Sequence, residues 1–198
     1  MPRPPRRIAG FTLIELLLVI VVLGILLGVA MPSSNPSLHH QLQSAASILR
    51  TDLAYGRSLA VSNNSNYRVA FDPANNRCVL EHSNTDAAFA SLDTLPDSQF
   101  RDPADPPTQH IVDLADSPRM GSAARLLGAT AGDPPESVTG VEFGPLGQTT
   151  RTAETKIWLA AGQGSEVRYL CLRINPATGL TSIGEYTSTE PPAVNSED

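Results

Sequence analysis

Glu15 is the only charged residue between positions 11 and 31, a run of 21 otherwise uncharged and mostly apolar residues. An acidic side chain at the centre of a bilayer costs about 2.5–3.5 kcal/mol on insertion scales, so a carboxylate in such a run calls for a function. Glu15 lies only one helical turn into the run, where the positive end of the helix dipole favours it. If the peptide bond after Gly10 is cut, Phe11 gains a free α-ammonium one turn from Glu15. The carboxylate and the amine, from the same chain or a neighbour, then form a neutral pair. Pairing with a neighbour also sets the axial stagger between packed helices. On that supposition Glu15 is the candidate assembly residue.

No other group forms an evident reactive constellation. His39, His40, His82 and His110 are scattered, and His39-His40 reads as a surface position at the start of a helix. No serine sits in a nucleophile-elbow pattern, and no glycine-rich loop has phosphate-cradling spacing. Aspartates at 86, 93, 97, 102, 105, 113, 116 and 133 could offer calcium its oxygen ligands, but no Asp-x-Asp-x-Asp-Gly loop is present. They read as solvated charge. Cys78 and Cys171 are far apart and lack metal-site spacing. They form either a disulfide, in an oxidising compartment, or two unpaired strand cysteines. No catalytic, cofactor or metal site is expected.

The elements that position Glu15 follow from charge and length. Arg3, Arg6 and Arg7 precede the apolar run, in a leader without an acidic residue. As a helix, the run is about 31 Å long, against a hydrocarbon core of about 30 Å. Basic residues on that flank place the N-terminus in the cytoplasm and the remainder across the membrane. A secretory signal cut near Gly28-Val29-Ala30, or a plain signal anchor, also accounts for the arginines and the run. Neither accounts for Glu15 or the Gly-Phe-Thr junction. The chain has 14 basic and 20 acidic residues, a net charge of −6. Three arginines belong to the leader, leaving 11 against 20, or −9. Such acidity argues against a generic nucleic-acid surface.

After Met31, Pro32-Ser33-Ser34-Asn35-Pro36 breaks the helix, and Asn35 reads as an N-cap with proline at the first helical position. A second helix is expected over 36–62. Leu38, Leu42, Ala45, Ala46, Leu49, Leu53, Gly56 and Ala60 form its stripe, and Arg50 and Arg57 are among its polar positions. Strands are expected over 67–71 and 77–82, with a turn between them. Residues 83–136 hold the aspartates above and seven prolines, and read as a surface insertion with short strand-like pieces such as 111–114. Strands resume over 141–143, 156–161, 166–175 and 180–186, with Trp158 and Phe143 as core residues. The tail, 187–198, reads as disordered. A helix followed by antiparallel strands gives an α+β domain over 32–186, carried by the membrane helix.

Gly10-Phe11-Thr12-Leu13-Ile14-Glu15-Leu16-Leu17 resembles the class III signal of type IV pilins and type II secretion pseudopilins. The resemblance implies that a prepilin peptidase cuts after Gly10 and methylates the amine of Phe11. It also implies that Glu15 governs docking to other subunits at an inner-membrane assembly platform, and that Pro32 marks a helix break. The globular domain would lie in the periplasm before entering the filament. The segment Asp52-Leu53-Ala54-Tyr55-Gly56-Arg57-Ser58-Leu59-Ala60 and the stretch Val141-Glu142-Phe143-Gly144-Pro145-Leu146-Gly147 are similar to the GspH/FimT group of minor subunits. The implied function is structural, without enzymatic activity. The alternative is a ligand-binding protein at a filament surface, since some members of that group bind DNA through a basic C-terminal region. Here the last twelve residues contain no Lys or Arg, which argues against DNA.

Overall fold

The computed structural model describes residues 13–30, 37–96, 103–115 and 124–192. The chain divides into two units, Met1–Asn35 and Pro36–Asp198. In the first, α1 (Leu13–Ala30) is helical and apolar all round apart from Glu15 in its first turn. Its 18 residues span about 27 Å. Among the described residues, no helix is long and apolar enough to cross a membrane. Phe11, Thr12 and Met31, which complete the apolar run, lie outside them, as does the expected break at Pro32.

The second unit opens with α2 (Leu38–Ser62). Its N-cap is Ser37, whose hydroxyl accepts from the His40 N–H at 3.4 Å. This corrects the expected cap: the helix starts after Pro36, and Asn35 lies outside the described residues. The hydroxyl reaches the third helical N–H, which has no partner within the helix. The expected stripe is buried at Leu42, Ala45, Ala46, Leu49, Leu53, Gly56 and Ala60, and Leu59 joins it. Burying each leucine contributes about 1.5–3 kcal/mol.

Two antiparallel sheets receive that stripe. The first has the order β3-β2-β1-β6, from β1 (Tyr67–Asp72), β2 (Arg77–His82), β3 (Gln109–Asp113) and β6 (Gly140–Phe143). The second has the order β5-β4-β7-β8-β9, from β4 (Ala124–Ala131), β5 (Glu136–Val138), β7 (Thr155–Ala161), β8 (Arg168–Ile174) and β9 (Thr181–Thr187). Alternation sends Tyr67, Val69 and Phe71 of β1 inward, and Ile157 and Leu159 of β7 meet Leu170, Leu172 and Ile174 of β8 in the same core. The fold is α+β, helix on antiparallel sheet.

Residues 83–136 are not simply a surface insertion. They supply a 3-10 turn (Ala87–Leu92), the edge strand β3, and β4, which lies inside the second sheet between β5 and β7. β4 escapes a pattern reading because its sequence, Ala-Arg-Leu-Leu-Gly-Ala-Thr-Ala, is poor in β-branched residues and its alternation is interrupted. A register shift between Leu126 and Gly128 leaves Leu127 as an extra residue, a bulge that Gly128 accommodates at φ 133°. Of the expected tail, Thr187 closes β9 and residues 193–198 lie outside the described residues.

Polar side chains join the two sheets. In the β1–β2 turn, Asn76 adopts φ 53°, which asparagine tolerates better than most residues. Its Nδ2 donates to Ala124 O at 3.0 Å and its Oδ1 accepts from Leu126 N at 2.6 Å, tying the first sheet to β4. At the other end, Arg57 of α2 donates from Nε to Gly147 O (3.1 Å) and Thr178 O (2.8 Å). Gly147 lies in the turn after β6 and Thr178 in the turn between β8 and β9, so one guanidinium holds both turns against the helix.

Candidate functional site

Glu15 is the predicted site residue that the structure describes in the first unit. It occupies the first turn of α1, where the helix dipole stabilises negative charge. Around it Leu13, Ile14, Leu16, Leu17, Leu18, Val19, Ile20, Val21, Val22 and Leu23 are 45–83% exposed. A helix apolar on every side is stable in water only when something covers it, either lipid or other helices. Gly10 and Phe11, the candidate cleavage and methylation positions, lie outside the described residues.

Within the second unit, three side chains absent from the sequence reading come together. Ser65 Oγ lies 2.8 Å from His82 Nε2, and His82 Nδ1 lies 2.6 Å from Asp93 Oδ1. Asn84 Nδ2 also donates to Ser65 Oγ, at 3.2 Å. Nucleophile, base and orienting acid are linked in this order in hydrolases. Here, however, Ser65 is 1% exposed and the His82 side chain is fully buried. An open cleft of about 350 Å³ beside it is lined by His82, Asn84 and Asp93 but not by Ser65. No substrate atom reaches the hydroxyl. The arrangement pins the turn after α2 to β2 and to the 3-10 turn, and Tyr67 packs its ring on His82 at 5.1 Å. The contact is invisible in sequence because the three residues belong to three elements and the register alone aligns them.

The remaining candidates are structural as well. His110 Nε2 stands 3.5 Å from Asp52 Oδ1, a buried pair joining β3 to α2. Cys78 and Cys171 are both buried and free. They stand on different sheets, β2 in the first and β8 in the second, which is why the possible disulfide is not formed. Burial pushes the Cys78 thiol far above its usual range, helped by the charges of Asp52 and Asp72, and burial also raises Cys171. Neither is a ready nucleophile. Among the described residues, no three His, Cys, Asp or Glu side chains converge as a metal site. Phe143 is core, as expected, whereas Trp158 is only half-buried, on the face of β7 opposite Ile157 and Leu159.

Residues 5–31 match the family model described as the prokaryotic N-terminal methylation motif. No curated protein sequence matches the chain. Among solved structures, the chain is similar to the type IV minor pilin FimU of Pseudomonas aeruginosa, with 18% identity and a TM-score of 0.47. That likeness covers 79% of this chain and 97% of FimU. It is also similar to the minor pseudopilin EpsH of the Vibrio cholerae Type 2 Secretion System, with 11% identity and a TM-score of 0.46, over 72% of this chain and 95% of EpsH. Both scores lie below 0.5, so the assignment rests on the N-terminal motif. That motif spans the Gly10-Phe11 junction and Glu15, the residues that carry the resemblance to type IV pilins and pseudopilins.

Proposed function

We propose that this protein is a minor structural subunit of a type II secretion pseudopilus or a type IV pilus. The observation that carries the reading is the methylation motif over residues 5–31, with Glu15 inside an otherwise apolar helix. Prepilin peptidase cuts between Gly10 and Phe11 and methylates the new amine. The helix stays in the inner membrane with its N-terminus cytoplasmic and the globular unit periplasmic. On extraction into the filament, Glu15 pairs with the amine of a neighbouring subunit and sets register, while Pro32 lets the helix bend. Exposed apolar side chains on every side of α1 support a helix made to be covered first by lipid and then by other helices.

The test is the intact mass and N-terminal sequence of the membrane-extracted protein, produced with and without a prepilin peptidase. A start at N-methylated Phe11 is expected only with the enzyme. A start after Ala30, or an uncut chain in both cases, refutes the reading.

A further inference from the structure

Two groups of charge on the five-stranded sheet are left unused by the fold, and they are of opposite sign. The first is on its outer face. Alternation places Lys156 and Trp158 of β7 and Arg173 of β8 on the side away from the core. Lys156 and Arg173 stand directly opposite one another in register, so their side chains start about 5 Å apart. Like charges so placed repel and weaken a sheet. Among the described residues, neither is within ion-pair distance of a carboxylate. Trp158 follows two residues along β7, and its Nε1 donates to Thr130 Oγ1, on the β4 residue opposite Lys156, at 3.4 Å. The indole is half-buried, so part of the ring stays open to solvent beside the two cations.

The second group is the turn between β4 and β5. Asp133, Pro134, Pro135 and Glu136 are all exposed. Among the described residues, neither carboxylate has an ion-pair partner, although Arg151 lines the same open cleft. On a tight turn, positions three apart have Cα atoms within about 7 Å, close to the spacing of Lys156 and Arg173. Register puts both groups at the same end of the sheet. Ala131 pairs with Glu136 on one side and with Thr155 on the other, and Thr155 adjoins Lys156 and pairs with Ile174, next to Arg173. Within one chain β4 separates β5 from β7, two strand spacings or about 10 Å, and no ion pair forms across it.

Two carboxylates flanking two prolines complement two cations beside an indole, because opposite charges attract and proline rings dock on aromatic side chains. The short span of the cationic pair suits such a turn. A long polyanion would run on to the exposed carboxylate of Glu154, just before β7. Since turn and face adjoin at one end of the sheet, a two-fold rotation lets both contacts form at once, and the pairing closes.

We propose that two copies of this chain pair reciprocally, the Asp133-Pro134-Pro135-Glu136 turn of each docking on the Lys156–Trp158–Arg173 face of the other. The inference goes beyond the filament-subunit reading and stands on the fold of the globular unit alone.

The test follows the full chain in detergent by sedimentation velocity and by acrylamide quenching of Trp158, the only tryptophan. At about 50 mM salt a dimer forms with rising concentration, and quenching falls as it forms. At about 500 mM the dimer weakens at least roughly tenfold, because screening acts on exposed charge. K156E/R173E and D133K/E136K each weaken it by a similar factor. An equimolar mixture of the two regains it as a heterodimer, since every turn then faces opposite charge again. Urea midpoints show whether the variants are folded; if either is not, the wild-type salt and quenching series decides without them. A wild-type chain that stays monomeric at low salt overturns the proposal. So does association that ignores salt and leaves Trp158 quenching unchanged, which α1 packing would give. Species that grow past the dimer, or a folded mixture that regains nothing, overturn it as well. Processing at Phe11 is read separately by mass, so failure here leaves the filament reading standing.

Discussion

Replacing Arg57 with alanine removes a side chain that holds the turns of both sheets against α2. Its Nε–H is shared between Gly147 O at 3.1 Å and Thr178 O at 2.8 Å. A hydrogen bond from a charged donor contributes about 1.5–3 kcal/mol, and one shared proton counts nearer to one such bond than two. The side chain also packs on the turns: a Cβ on Gly147 would lie 2.9 Å from Nη2, and one on Gly179 would lie 3.2 Å from Cδ. The expected loss is about 2–3 kcal/mol. With a urea dependence of about 2 kcal/mol per molar, the midpoint falls by about 1–1.5 M. Trp158, the only tryptophan, reports the unfolding by fluorescence from β7. Arg57→Lys keeps the charge but loses the fork, and should recover about half of the loss. Amide exchange at Gly147 and Gly179 should accelerate in the alanine variant ahead of the strand amides. A midpoint shift below about 0.3 M would refute the reasoning. It would mean that the backbone bonds Gly147 N to Gly144 O, Gly179 N to Asn175 O and Thr149 N to Pro176 O hold the turns unaided.

Asn76→Ala removes two bonds to β4 and leaves alanine in the left-handed region, for a loss of about 2–3 kcal/mol in urea unfolding. Burial raises the Tyr67 phenol despite its bond from Asn63 Nδ2, so the folded state favours the neutral form. That contribution is fully present below the ordinary tyrosine value near pH 10 and is lost as pH rises through the folded value. Tyr67→Phe should flatten the alkaline limb of a stability–pH curve while costing about 0.5–1.5 kcal/mol at neutral pH. Asp72 behaves oppositely: its bonds from Asn75 and Arg77 lower its carboxyl, so its contribution is present at neutral pH and is lost as pH falls through the lowered value. Asp72→Asn should remove that acid limb. A thiol reagent should find no reactive cysteine in the native protein and two after denaturation without reductant, since Cys78 and Cys171 are buried and unbonded. Recovery of a disulfide mass would contradict the structure.

What this sequence determined alone was local. The methylation motif is contiguous, so its chemistry is legible residue by residue, and the family model matches the same stretch. The stripe of α2 was legible because a helix repeats its buried face every three to four residues, and β1 and β2 because strands alternate and their turn is short. Where local pattern and tertiary role part, reading fails. β4 looked like insertion because its bulge interrupts the alternation and its alanines and glycine have little strand preference of their own; β7 pairing makes it a strand. Arg57 looked like a solvated helix position, yet it serves carbonyls 90 and 121 residues away. Trp158 looked like core, but strand parity turns it outward beside Lys156 and Arg173, and Ser65, His82 and Asp93 meet only because three elements converge. Contacts between distant segments depend on register and layer packing, which carry no signature in any short window of residues. Tertiary structure alone therefore decided which polar groups are structural pins and which side chains of the second sheet face away from the core.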